Sequence, residues 1–271
     1  MTCMCRNIAG DIAFTSTVVF RNNLLFKAYV DADPRVYSLI MIIKRWAKCR
    51  HLDDAYLGVI NSYTHVLLLL YFLQRRYVLP PLQRICCTTH IPKLHHKPPN
   101  YEDVLMPDRL CLSCSKPLPS VIFDGYETYF YEHGGFPQQR RNDPIGKILV
   151  KFFYFWAFAF NAETDIVSPR LGRPIPRNQH SEWNMEKSDL PLCVEDPFIF
   201  DRNCATSLDA HAYQGLRWEW ERAWRILTGQ NCPKSGTMQI RLDRLFSPYE
   251  PWHPIHFDEL HVYETDREET L

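Results

Sequence analysis

Apolar residues recur along this chain at two spacings, and the switch between them marks its elements. Residues 11–20, DIAFTSTVVF, are rich in Val, Thr and Phe and predict a strand. A helix is expected from about Asn22 toward Val30. A firmer one follows, with Asp33 as N-cap, Pro34 at the first position, and Val36, Leu39, Ile40, Ile43 and Ala47 at helical spacing. It ends near Arg50. Asn61 or Ser62 caps the next helix, which runs to about Arg76 and stops before Pro80 and Pro81. Residues 146–161 read as a helix apolar nearly all round, hence a buried one. DIVSPRLGRPIP reads as a short strand, a turn and irregular chain. Residues 207–228 form a strongly amphipathic helix closed by Gly229. Between Arg84 and Pro144, prolines and histidines replace periodicity, which predicts a long loop with one small ordered piece. Beyond Pro248 the chain is acidic and Pro-containing. The pattern predicts a mainly α protein with a small α+β part.

Composition narrows this. The 271 residues suffice for one good core or two small ones, and 46% hydrophobic with 14% aromatic residues exclude a disordered chain. A formal net charge of zero predicts no large basic face, so nucleic-acid binding has to come from a local patch. The apolar run near residues 66–72 is far short of the ~20 residues a bilayer span needs, and Lys151 interrupts the other candidate. Ten unevenly spaced cysteines and no apolar leader over residues 1–10 lead us to expect reduced thiols in a soluble, intracellular protein, nuclear or cytoplasmic, with no membrane association.

Four blocks stand in a recognisable order: DIAFTSTVVFRNN, DPRVYSLIMIIKRWAKCRHLDDAYLGVINSYTHVLLLLYFLQ, IGKILVKFFYFWAFAF with DIVSPRLG, and LCVEDPFIFDRN. The chain resembles the poly(A) polymerases and terminal uridylyltransferases of the caffeine-induced-death type, in a fungal-like version, over roughly residues 8–83 and 145–229. The resemblance implies a remnant of the nucleotidyltransferase palm in residues 1–20, a helical central region in 21–83, an irregular insert in 84–144, a PAP-associated domain in 145–229 and an acidic flexible tail in 230–271. The implied activity is template-independent addition of nucleotides, AMP before UMP, to RNA 3′ ends, with an NTP (ATP favoured, UTP possible) and an RNA 3′ end as partners.

The residues suit such a grip. Lys44 and Lys48 lie one turn apart and point the same way, so both can reach phosphate oxygens. Ser62 can cap its helix and donate to a phosphate, while Tyr63 offers a ring for stacking a base. Taken singly, two such lysines are most often a solvated face, and Tyr63 an ordinary helix-start aromatic. The resemblance implies nucleotide contacts at Asn22, Asn23, Lys44, Lys48, Ser62, Tyr63, Asp196 and Arg202. Arg202 stands where uridine-preferring relatives carry a base-contacting His, and Ile199 where they carry an acid.

Nucleotidyl transfer in this family uses Mg²⁺ (or Mn²⁺) as a pair held by three carboxylates. Asp11 matches the third and is the candidate catalytic and metal residue. The other two, which the family carries upstream after a Gly-Ser helix start, have no counterpart in residues 1–10. Asp31-Ala-Asp33 imitates the pair, but Asp33 already caps a helix. The chain as written is therefore expected to start within a catalytic domain, not to bind the metal pair, and not to catalyse transfer alone. A non-catalytic nucleotide- or RNA-binding scaffold, or a degenerate relative, is the rival.

Three other features complete the reading. Cys111-x-x-Cys114 has knuckle spacing, with Cys86, Cys87, His90, His95 and His96 upstream, but no second pair follows, so free thiols are expected over zinc. Trp218, Trp220 and Trp224 read as packing residues. Arg45, Arg50, His51, Arg75 and Arg76 form either a modest strip for an RNA backbone or solvated helix ends.

Overall fold

The computed structural model describes residues 2–5, 8–11, 17–86, 109–112, 114–132, 143–180, 183, 190–230 and 237–249, with side chains from Val18 onward. An antiparallel hairpin, β1 (Thr2–Cys5) with β2 (Ile8–Asp11), pairs Thr2 with Asp11. The helices α1 (Thr17–Ala32), α2 (Arg35–Cys49) and α3 (Ser62–Arg75) follow. A small hairpin of β3 (Ile122–Phe123) and β4 (Tyr126–Glu127) precedes α4 (Ile145–Tyr154), which continues as one π-helical turn, Phe155–Ala159. The pair β5 (Asp165–Ile166) and β6 (Ile175–Pro176), then α5 (Ala210–Thr228) and α6 (Met238–Leu245), follow among the described residues.

The axis of the core is α3. Every residue from Thr64 to Gln74 is buried, so the helix is enclosed on all sides rather than along one stripe. Against it pack Leu39, Ile43 and Trp46 of α2, and Ile148, Phe152 and Trp156 of the α4 segment. The aromatic residues interlock edge to face: Phe72 on Phe152 at 5.5 Å, Trp46 on Phe153 at 5.0 Å. Trp220 of α5 closes the far side, 5.7 Å from Trp156, and Trp224 meets Phe158 at 5.2 Å, as expected of packing residues. Among the described residues no helix is long and apolar enough to cross a membrane.

Local chemistry sets the helix ends. Asn61, not Ser62, caps α3, accepting from the Thr64 N–H at 2.9 Å. Asp209 and Gly229 close α5 at its two ends, Gly229 at φ +80°. The Asp33 carboxylate accepts the Arg35 N–H at 2.9 Å and grips the Arg35 guanidinium, so it starts α2 and is spent. Asp31 pairs with Lys27. The imitation metal pair is thereby accounted for.

Four expectations are corrected. Residues 17–20 are helical rather than a strand: the β-branched run puts Val18 on the same buried face as Leu25 and Tyr29, and packing overrides β propensity. Residues 12–16 lie outside the described residues. The 230–271 tail contains α6, whose Leu245 is fully buried; its short apolar stripe was masked by polar neighbours. Residues 250–271 lie outside the described residues. The 84–144 insert is docked where it is described: Arg21 of α1 donates to the Thr128 carbonyl at 2.9 Å and lies over the buried Phe130 ring. Finally, Arg50 is no phosphate ligand. It is buried, with Nε 3.0 Å from Glu219 Oε2 and Nη2 2.7 Å from Oε1, and it also donates to the carbonyls of Ser247 and Pro248.

Removing one partner of such a pair strands a buried charge. Glu219→Gln is expected to cost about 3–5 kcal/mol in urea unfolding, and Arg50→Met with Glu219→Leu to recover much of it. A second test uses His65, fully buried, with Nε2 2.8 Å from the Leu52 carbonyl oxygen. Burial lowers its pKa from 6.5 to about 4. Above pH 6.5 neither state holds the proton; below it only the unfolded chain does, so stability falls as pH drops from 6.5 toward about 4, by about 1.4 kcal/mol per pH unit. His65→Gln, which still offers an N–H, should flatten that slope.

Candidate functional site

Tyr63 enters α3 at its second position, just where the helix emerges from the core. Its hydroxyl donates to Asp196 Oδ2 at 3.3 Å, across 133 residues of sequence, and its ring lies 5.6 Å from Phe26 of α1. Burial, and then the negative charge of Asp196, push the Tyr63 phenol up, so it stays a donor.

Asp196 is fully buried in the turn that ends EDPF. Its Oδ1 accepts the N–H groups of Phe198 at 3.0 Å and Ile199 at 3.1 Å, and Oδ2 also receives the Cys204 thiol at 3.6 Å. Burial raises the Cys204 thiol, with Asp196 adding to it, which keeps the proton on sulfur. Glu195 beside it turns the other way, taking Ser168 Oγ and the Arg170 guanidinium, the latter at 2.9 Å. Thr64 Oγ1 donates to the Cys204 carbonyl at 2.7 Å, so the turn and the start of α3 are joined twice. Arg202 Nη1 lies 3.9 Å from Asp196 Oδ2, with its side chain 55% exposed. It is a loose partner on the solvent side.

The other predicted residues fall as follows. Lys44 and Lys48 are exposed on α2, away from Val36, Leu39 and Ile43, and neither forms an ion pair among the described residues. Ser62 is half-buried at the first position of α3, where backbone N–H groups are unclaimed by the helix. Asn22 is buried with its Oδ1 unpartnered among the described residues, while Asn23, about 100° further round α1, is exposed. The two asparagines therefore do not present their side chains alike. Asp11 ends β2; its side chain lies outside the described residues. Among the described residues no Asp or Glu belongs to a group of three or more candidate metal ligands.

Sequence reasoning missed a neighbouring cavity of about 240 Å³, lined by Gln83, Arg84, Arg109, Tyr129, Arg170 and Phe200. It borders the same turn, since Gln83 donates to the Pro197 carbonyl at 2.7 Å. Its arginines are far apart in sequence, which left no local signal. Two are charge-compensated, Arg109 by Glu127 at 3.2 Å and Arg170 by Glu195. That makes the cavity a weaker anion site than three arginines suggest.

Residues 144–202 match the PAP-associated family described as Cid1 family poly A polymerase. The chain is 31% identical over 83% of its length to Poly(A) RNA polymerase cid11 of Schizosaccharomyces pombe, and 30% identical to cid13 of the same yeast. It is 25% identical to the yeast's Terminal uridylyltransferase cid1. The chain carries the PAP-associated segment of the Cid1 family. Its fold follows solved members: Cid1 in complex with its short product ApU superposes with a TM-score of 0.65 at 26% identity, covering 89% of this chain and 66% of that one. A cytoplasmic RNA terminal U-transferase matches with a TM-score of 0.68 at 24% identity, covering 90% of this chain and 67% of that one. The chain spans 41% of the length of cid11, 35% of cid13 and 51% of cid1.

If Asp196 holds the turn, removing its oxygens leaves two buried N–H groups unpaired. Asp196→Ala is expected to cost about 2–4 kcal/mol and Tyr63→Phe about 1 kcal/mol, read from urea midpoints.

Proposed function

We propose that this chain carries the nucleotide-holding, helical part of a template-independent RNA 3′-end nucleotidyltransferase, and that it binds a nucleoside triphosphate at the open end of α3. The observation that carries the reading is the Tyr63–Asp196 bond, which fixes one aromatic ring at the mouth of a buried helix. A ring held at both its hydroxyl and its edge can stack a base with little further loss of freedom. The Asn22 oxygen, unpartnered among the described residues, supports a hydrogen bond from a ribose hydroxyl, and Lys44 and Lys48, unpaired among the same residues, support contacts with phosphates. With both oxygens engaged, Asp196 acts on the nucleotide through Tyr63.

ATP is favoured over UTP. Two relatives at 30% identity or above, cid11 and cid13, are named poly(A) RNA polymerases, and Ile199 and Arg202 replace the uridine-selecting pair. The acceptor is an RNA 3′ end. Divalent metal supplies charge neutralisation in transfer of this kind; what the described residues of this chain do is bind and orient the nucleotide.

Titration of the full chain with ATP, UTP and adenosine tests this. Tyr63→Ala should weaken all three by about 5–150-fold, the stacking of one base. Lys44→Ala with Lys48→Ala should weaken ATP while leaving adenosine unchanged. ATP binding that survives both variants would overturn the reading. Extension of an RNA primer by the chain alone in Mg²⁺ would set aside the binding-only rival.

A further inference from the structure

Outside the nucleotide site, three thiols converge. Cys86 follows the short buried helical turn Leu82–Arg84, and Cys111 and Cys114 lie 25 and 28 residues further on. Their Sγ atoms all lie within 4.8 Å of one another. Four-coordinate zinc with Zn–S bonds of ~2.3 Å holds its sulfurs about 3.8 Å apart, so the triad needs only small side-chain adjustment to accept the ion. The Cys86–Cys114 separation of 3.4 Å is far from the ~2.05 Å of a disulfide.

The backbone around the thiols is built as a knuckle. Cys111 and Cys114 sit in a tight hairpin: the Cys111 N–H donates to the Lys116 carbonyl, the Ser115 N–H to the Cys111 carbonyl, both at 2.9 Å, and Leu110 pairs with Pro117. Ser115, just after the second thiol, takes the left-handed conformation at φ +55°. This hairpin is docked on the Cys86 segment by the Leu112 N–H, 2.9 Å from the Arg84 carbonyl. The Cys86 N–H in turn points at Cys111 Sγ at 3.2 Å. Cys111 is buried and the other two are half-buried, which leaves one side open for a fourth ligand.

We propose that Cys86, Cys111 and Cys114 bind one structural Zn²⁺. On binding, each thiol loses its proton to solvent, three Zn–S bonds form, and no electrons are transferred. The fourth position lies on the open side of the triad, where Cys86 and Cys114 are half-buried. Arg84 and Arg109, which line the 240 Å³ cavity, each lie two residues before a ligand. The ion would staple these two distant segments together and fix that wall of the cavity, independently of the Tyr63 pocket.

The test is metal analysis of the full chain, purified with reductant and without chelator. One zinc per chain is expected, falling to background in Cys111→Ser and in Cys114→Ser and unchanged in Cys49→Ser. Should those variants fail to fold, cobalt exchange into the wild-type chain gives the answer without them, through a thiolate-to-cobalt charge-transfer band that zinc displaces. A wild-type chain that holds no zinc and takes up no cobalt would overturn the proposal. So would zinc retained in full by folded Cys111→Ser, or a Cys86–Cys114 disulfide found by mass in place of metal.

Discussion

The constraint on which the rest depends is the burial of α3 on every face. A helix that presents Leu67, Leu68, Leu69 and Leu70 in succession has no side to give to water. Each such side chain gains about 1.5–3 kcal/mol on burial, so the chain must supply cover in all directions. α2 and α4 give two walls, α5 backs the α4 segment through Trp220 on Trp156, and the docked insert adds Phe130 to the same core. The polar groups along α3 are met in part, His65 Nδ1 and Gln74 Oε1 having no partner among the described residues. Gln74 Nε2 is held by the Tyr29 hydroxyl and the Pro169 carbonyl, each at 2.8 Å, and burial pushes the Tyr29 phenol up to about 12.

Such a helix can expose chemistry only at its ends. At the N-terminal end, Ser62 and Tyr63 stand half-buried immediately before the enclosed run, and the 195–207 turn clamps them. Asp196 takes Tyr63, the Cys204 carbonyl takes Thr64, and Ser207 Oγ donates to the Val59 carbonyl at 2.7 Å. The same packing that stabilises the fold therefore fixes the ring we assign to the base. It also explains why EDPF carries two neighbouring carboxylates with different work: Asp196 faces Tyr63 while Glu195 pairs with Arg170.

Much of this was legible in the sequence where local chemistry decides. The Asn61 cap, Gly229 and the prolines after Arg76 mark the ends of α3 and α5 closely, because caps act within one turn. The start of α5 at Asp209 rather than Ser207 came only from the structure. The apolar run of α4 announced a helix but not its exposed face: Ile148, Leu149, Phe152 and Phe153 are buried, while Tyr154 is 48% exposed. What sequence hid was set at a distance. Val18 and Val19 have strand-like side chains, yet α1 forms because its buried face meets the core. Arg50 read as a surface cation until Glu219, 169 residues away, was placed against it. Cys86 carried no knuckle signal of its own, since its partners are separated by an insert with no periodicity.

The central claim is that the nucleotide sits at the Tyr63 end of α3. Photocrosslinking of the full chain with an azido-adenine triphosphate, followed by peptide mapping, tests it most directly. The account predicts label in peptides containing Tyr63 and Asn22, suppressed by excess ATP. Label confined instead to peptides bearing Arg84, Arg109 and Arg170 would place the nucleotide in the neighbouring cavity and contradict it.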